Sequence, residues 1–340
     1  MEAKIAKIKN YSGFCAAPFT PFDSKGRINI NIIDEYVSLL QKQSVTGAFV
    51  NGSTGEGLSL TVAERKKLAE RWVEASKGKL DLVIVHVTAA SIVDTKELAT
   101  HAEGLNVDAI SILPPFYFRS PSNDHLVRYV EEVSKAAPNT PIIYYHIPAF
   151  THVDGDISHC MKNYEVNTGI ENKQISKNDV LAPVLLVRMS EFLPEANRRV
   201  PALCGAKYSC SDLTDLAGFL REDKAEFKIF FGYEEMLLAA LALGVTAAIG
   251  GTFTYQGHLA KKIMDLYEQG DLAGARLLQD KLKHGIDTLC KYGYCVASLK
   301  AAANKVSGLD FGDTRIPVCP LPGDKAEELA EEIRGLDILL

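Results

Sequence analysis

Eight short apolar runs, each followed by a longer segment of helical period, constrain this chain more than any other feature of its sequence. In order they are GFCAAPFTPF (13 to 22), TGAFVNG (46 to 52), LDLVIVHVT (80 to 88), DAISILPPF (108 to 116), PIIYYHIP (141 to 148), PALCGAKYS (201 to 209), FKIFFGY (227 to 233) and TAAIGGTF (246 to 253). Such alternation is the pattern of repeated β-α units around a parallel sheet. TVAERKKLAERWVEASKG after the second run reads as a helix starting near Thr61, and SNDHLVRYVEEVSKAAP after the fourth as one capped by Ser122. Eight units in about 250 residues predict an α/β chain folded as a (β/α)8 TIM barrel, here over residues 10–270. A doubly wound sheet is the alternative, but no GxGxxG follows the first run. From 271 to 340 the pattern is wholly helical, and a C-terminal helical extension packed on the barrel is expected.

One interval breaks the rhythm. Strand ends near 52, 88, 115 and 148 are spaced by 36, 27 and 33 residues, whereas 59 residues separate Pro148 from Lys207. About 25 of these are surplus to one β-α unit. The polar, Asn-rich stretch 155–178 is their expected place, either as a loop on the catalytic face or as an artefact of the sequence.

Composition narrows the partners. With 340 residues, 47% of them hydrophobic and 24% charged, the chain can bury a large core as one globular domain. A net charge of -6 offers no basic field to a phosphate backbone, so nucleic acid is not an expected partner. No run of 18 apolar residues predicts a membrane span, and the first residues lack the apolar core of a secretory signal. Seven scattered cysteines without a CxxC pair suit reduced thiols in the cytoplasm. His146 reads as structural, since no HxH or HExxH accompanies it, and no metal site is expected. Asn51-Gly52-Ser53 fits a glycosylation sequon, but it directly follows an apolar strand and is not expected to be used.

In a barrel of this kind the site is built at the C-terminal ends of the strands. Lys207, late in PALCGAKYS, is the most conspicuous polar residue there. An ammonium in a barrel interior is costly unless paired or neutralised. A desolvated amine can condense with a ketone and give an iminium that withdraws electrons from the adjacent carbon. The other reading is that Lys207 snorkels or pairs with a carboxylate. The Gly52-Ser53-Thr54-Gly55-Glu56-Gly57 turn leaves strand 2 with glycines that let backbone N–H groups approach an anion, and with two hydroxyls beside them. Taken alone it is also an ordinary Gly-rich turn. In YYHIP, alternation sends Tyr144 and Tyr145 to opposite faces, so at most one enters the barrel, where a phenol could serve as acid and base. A strand tyrosine is otherwise core.

Together, the GSTGEG turn on strand 2, YYHIPA on strand 5 and the GAK strand followed by Ser209 resemble the pyruvate-dependent class I aldolase family that contains dihydrodipicolinate synthase and the sialic acid lyases. The resemblance covers roughly residues 10 to 310 apart from the surplus. It implies Lys207 as the Schiff-base lysine, Tyr145 as the proton-transfer residue and Thr54 as a relay to it. It further implies Ser53 and Thr54 as the carboxylate site, and Ser209, Gly232, Glu234, Glu235 and Gly251 as substrate contacts. Pro148 is followed by Ala149-Phe150, where the synthase branch carries an arginine, which favours the sialic acid branch. Three positions depart from that branch: Gly251 stands for a sugar-binding serine, Glu234 for an aspartate and Thr88 for a glycine. The implied activity is cleavage of N-acetylneuraminate to N-acetylmannosamine and pyruvate, without metal or organic cofactor, by a cytoplasmic homotetramer. A related aldolase or synthase acting on another sugar acid or aldehyde is the second expectation. The third is a catalytically weak barrel that binds sialic acid or pyruvate.

Overall fold

Each of the eight apolar runs holds a strand. In the computed structural model, which describes residues 1–153, 188–222, 227–293 and 296–340, these are β1 (Gly13–Ala16), β2 (Gly47–Val50), β3 (Leu82–His86), β4 (Ala109–Ile112), β5 (Ile142–His146), β6 (Leu203–Tyr208), β7 (Lys228–Phe231) and β8 (Ala247–Gly250). All pair in parallel and in sequence order, and β8 closes on β1 with Gly13 opposite Ala247 and Ala16 opposite Gly250. The fold is a (β/α)8 barrel. Every strand residue is buried. Both faces of such a sheet are covered, which is why the strands read as continuous apolar runs rather than alternating ones.

Two apolar layers result. Outward residues such as Val50, Val85, Ile110 and Tyr144 pack under the helices, and inward residues such as Phe49, Ile84, Ile143, Tyr145 and Phe230 fill the barrel. The helices present matching stripes. Val62–Ser76 buries Arg65, Leu68, Ala69, Trp72 and Ala75, and starts with a capping box in which Thr61 and Glu64 satisfy each other's backbone N–H groups. Ser122 caps the helix Asn123–Ser134 as expected, accepting from the His125 N–H.

One element was not anticipated from the sequence. Glu2–Asn10 is a helix that closes the N-terminal end of the barrel, seating Ile5 and Ile8 against the inner layer. At the other end of the chain Phe253–Glu268 follows β8, and the helices Leu272–Lys291, Val296–Val306 and Gly323–Gly335 come after it. They are tied to the barrel by side chains. Lys300 donates to the Thr20 carbonyl at 2.8 Å and to Glu56 at 3.0 Å, and Gln279 donates to the Glu234 carbonyl at 3.2 Å. Among the described residues no helix is long and apolar enough to cross a membrane. The surplus expected at 155–178 lies outside the described residues.

Candidate active site

Strand alternation decides which polar groups enter the barrel. On β5 it turns Tyr145 inward, while Tyr144 packs outward on Phe192 with ring centroids 4.8 Å apart. On β6, opposite Tyr145 in register, Lys207 also points inward and is 5% exposed. Its ammonium donates to the Tyr145 hydroxyl at 3.1 Å and lies over the rings of Phe49, at 4.7 Å, and Tyr145, at 4.2 Å. No carboxylate pairs with Lys207 among the described ion pairs. The amine is held by a phenol and two π faces, an arrangement that stabilises the cation weakly and leaves the nitrogen near a proton acceptor.

The Gly-rich turn after β2 is tied down by contacts the sequence did not show. Asn51 and Glu56 both adopt left-handed backbone, with φ of 62° and 53°. For Glu this costs on the order of 1 kcal/mol. Its carboxylate is locked in compensation, accepting from Lys300 at 3.0 Å and from the Arg315 N–H at 2.7 Å, with both side chains of the Glu56–Lys300 pair fully buried. Within the turn the Glu56 and Gly57 N–H groups bond to the Ser53 and Gly52 carbonyls. Among the described residues the Ser53 and Thr54 N–H groups have no backbone acceptor. The hydroxyl within reach of the Tyr145 phenol is that of Ser53, at 3.4 Å. Thr54, expected as the relay, lies beside Gly251: its Oγ1 is 3.2 Å from the place a Cβ there would take. The sequon reading of Asn51 is closed off by its 2% exposure.

The far wall comes from the ends of β6, β7 and β8. Ser209 follows Lys207 at the strand end, and its N–H bonds to the His146 carbonyl at 2.8 Å. Gly232 is required next to it, since any Cβ at 232 would overlap Ser209 Oγ and come within 3.2 Å of Lys207 Cε. Glu234 is buried, and its Oε1 accepts from the Thr252 N–H at 2.9 Å and the Thr252 hydroxyl at 2.8 Å. Burial pushes the Glu234 carboxyl up from its ordinary value, while the Thr252 donors and then the Lys207 ammonium pull it down. Burial also raises Glu235, to about 7. It is half-buried, within electrostatic reach of Lys283 and Asp287 on the helix Leu272–Lys291. At Gly251 a Cβ would lie 2.7 Å from Leu299 Cδ2, so a leucine stands where a side chain from 251 would go.

Sequence reasoning did not single out Phe49, His86, Arg65, Thr252, Leu299 or Lys300. The inward alternation of LVIVHVT gave a signal for His86, two residues beyond Ile84 on the same face. The Glu56–Lys300 pair spans 244 residues and had none. His146 turns outward against Tyr208, with ring centroids 5.1 Å apart, as a structural histidine does.

A buried amine, a phenol and a Gly-rich turn at the C-terminal mouth define a (β/α)8 barrel suited to carbonyl chemistry. The family model of the dihydrodipicolinate synthetase family matches residues 10–173 and 195–335, and the chain belongs to that family. The match breaks at 174–194. The chain is 37% identical to the N-acetylneuraminate lyase of Danio rerio over 97% of both proteins. It is 34% identical to that of Homo sapiens over 97% of this chain and 94% of the relative. Among solved structures, the Proteus mirabilis N-acetylneuraminate lyase superimposes with a TM-score of 0.83 at 34% identity, covering 97% of this chain and 99% of that one.

Proposed function

We infer that this chain is a Schiff-base aldolase cleaving N-acetylneuraminate to N-acetylmannosamine and pyruvate. The observation that carries it is the 3.1 Å contact between the Lys207 amine and the Tyr145 phenol, inside a barrel whose relatives are lyases of that substrate. In this reading Ser53 and Thr54 hold the carboxylate, which positions the C2 ketone against Lys207. The amine adds and water is lost, giving an iminium. Tyr145 takes the proton of the C4 hydroxyl as the C3–C4 bond breaks, and the bond's electrons pass to the iminium. N-acetylmannosamine leaves, the enamine is protonated at C3, and hydrolysis frees pyruvate and the lysine. The iminium is the electron sink, so the reaction needs neither metal nor organic cofactor.

Ser209, Gly232, Glu234 and Glu235 line the side on which the sugar chain would extend. The reading also makes the chain a homotetramer in the cytoplasm, where thiols stay reduced. Among the described residues Cys15, Cys204, Cys290 and Cys319 are free, and cell fractionation checks the compartment. Incubation with N-acetylneuraminate, read by pyruvate release and by chromatography of the amino sugar, tests the activity. Equimolar pyruvate and N-acetylmannosamine are expected, and Lys207→Ala should abolish both while leaving the protein folded.

A second reading keeps the chemistry and changes the sugar. Gly251 brings no hydroxyl and Leu299 lines the wall there, which favours a sugar acid less hydroxylated at that point. A profile across sugar acids separates the two: a higher kcat/KM on another substrate selects the second.

A further inference from the structure

Two side chains inside the barrel carry polar atoms that nothing described satisfies. His86 on β3 alternates with Leu82 and Ile84, and Ser111 on β4 with Ala109 and Leu113, all of them inner-layer residues. The two are register partners across the β3–β4 ladder. His86 is 2% exposed and Ser111 0%. By strict geometry neither ring nitrogen of His86 nor the Ser111 hydroxyl has a hydrogen-bond partner among the described residues, the Ser111 backbone making only a loose contact with the imidazole. Buried polar atoms are met in folded proteins by protein groups or by ordered water, and a water needs two to four polar partners. Neighbouring His and Ser side chains supply such a set.

Their place relative to the amine gives the pair a use. The rings that bracket Lys207, Phe49 and Tyr145, also bracket His86. The imidazole stacks on Phe49 at 6.0 Å and 27°, and meets Tyr145 edge-on at 5.8 Å and 90°. Amine and imidazole thus line one aromatic box. Burial, then the Arg65 and Lys207 cations, hold His86 well below its ordinary pKa, so the ring stays neutral and offers one N–H and one lone pair. Arg65 braces the same strand end from behind, donating to the His86 carbonyl at 2.6 Å and the Thr88 carbonyl at 2.7 Å.

We propose that His86 and Ser111 form a built water site inside the barrel, and that its water is the one released and taken back at Lys207 as the keto-acid imine forms and hydrolyses. The proposal rests on the aldolase reading above. In the hydrolytic direction the protonated imine and one water give the ketone and the lysine ammonium. The water oxygen becomes the carbonyl oxygen, the carbon–nitrogen bond breaks, both water protons end on the lysine nitrogen, and nothing is oxidised or reduced. His86 and Ser111 are positioning residues in this step, acting through the water they hold.

The test uses three variants and one trap. His86→Phe keeps a ring and removes the polar atoms, His86→Gln keeps a neutral donor and acceptor, and Ser111→Ala removes the hydroxyl alone. Each is assayed for N-acetylneuraminate cleavage, and borohydride is added during steady-state turnover to read the fraction of Lys207 caught as imine by mass spectrometry. His86→Phe and Ser111→Ala should lose tenfold or more in kcat with KM within about twofold, and the trapped fraction should rise as hydrolysis slows. His86→Gln should recover most of the rate. Unchanged kcat, a fall in kcat without a rise in the trapped fraction, or His86→Gln no better than His86→Phe would each overturn the proposal. If His86→Phe does not fold, Ser111→Ala decides by the same readout. An adduct on Lys207 in the unaltered protein, with no effect of the variants, removes the water site alone; no adduct there removes the aldolase reading as well.

Discussion

Tyr144 and Tyr145 differ by one position and lie on opposite sides of the sheet, so chemistry at Tyr145 follows from strand alternation. The Tyr145 hydroxyl touches both Lys207, at 3.1 Å, and Ser53, at 3.4 Å, which places it between the amine and the Gly-rich turn. Tyr145→Phe should therefore lower kcat by roughly 10²–10⁴, the range of a lost general acid–base, while borohydride still traps pyruvate on Lys207. A drop in trapping to background would assign the tyrosine to imine formation instead. Glu235 carries a pH effect. Burial lifts its carboxyl from an unfolded value of 4.5 to about 7, so the folded state keeps a proton that the unfolded chain has lost between those values. The contribution is fully present below pH 4.5 and is lost as pH rises through about 7, at most about 3 kcal/mol and less where solvent reaches the carboxyl. Urea denaturation from pH 5 to 8 should show stability falling over that window, and Glu235→Gln should flatten the fall; an unchanged slope in the variant would contradict the assignment.

The turn after β2 depends on elements far from it in sequence. Glu56 in left-handed backbone is held by Lys300 from the helix Val296–Val306 and by the Arg315 N–H, so the C-terminal part of the chain fixes the geometry of the turn that the aldolase reading gives to the keto-acid carboxylate. Lys300→Met leaves a buried carboxylate without its cation and should cost about 3–5 kcal/mol of stability, with a raised KM for the keto acid. Adding Glu56→Gln to Lys300→Met should recover part of the loss, as scanning calorimetry would read. Equal melting of parent and single variant would show that the pair does not hold the turn. The strands were legible because a parallel sheet covered on both faces writes itself as apolar runs. Lys207 was legible because a cation in such a run is anomalous, and its neighbours because the turn and YYHIPA resemble a known family. The helix Glu2–Asn10 was not, since its lysines interrupt the apolar period and only Ile8 is buried. The Glu56–Lys300 pair was not, because no local pattern connects residues so far apart. Nor was the approach of the Ser53 hydroxyl to the phenol, since the direction of each side chain within the turn is set by backbone angles that composition does not display.

At the scale of the molecule, the N-terminal end of the barrel is closed by a helix, and the candidate residues gather at the opposite end. Beside that mouth the loops after β4 and β5 expose Tyr117 at 78%, Phe118 at 87% and Phe150 at 67%. Tyr117 and Phe118 pack edge to face on each other, and the homotetramer reading proposes that a second copy covers this exposed pair. Light scattering should give the mass of four 37.1 kDa chains, and Phe118→Asp should shift it towards smaller species. A single-chain mass for the unaltered protein would end that reading. The most direct test of the aldolase reading is reduction with borohydride in the presence of pyruvate, read by intact and peptide mass spectrometry. One pyruvyl adduct per chain, confined to Lys207 and absent from Lys207→Ala, is the expected result. A folded protein that takes no adduct, or takes it on another lysine, would contradict Schiff-base chemistry at this site.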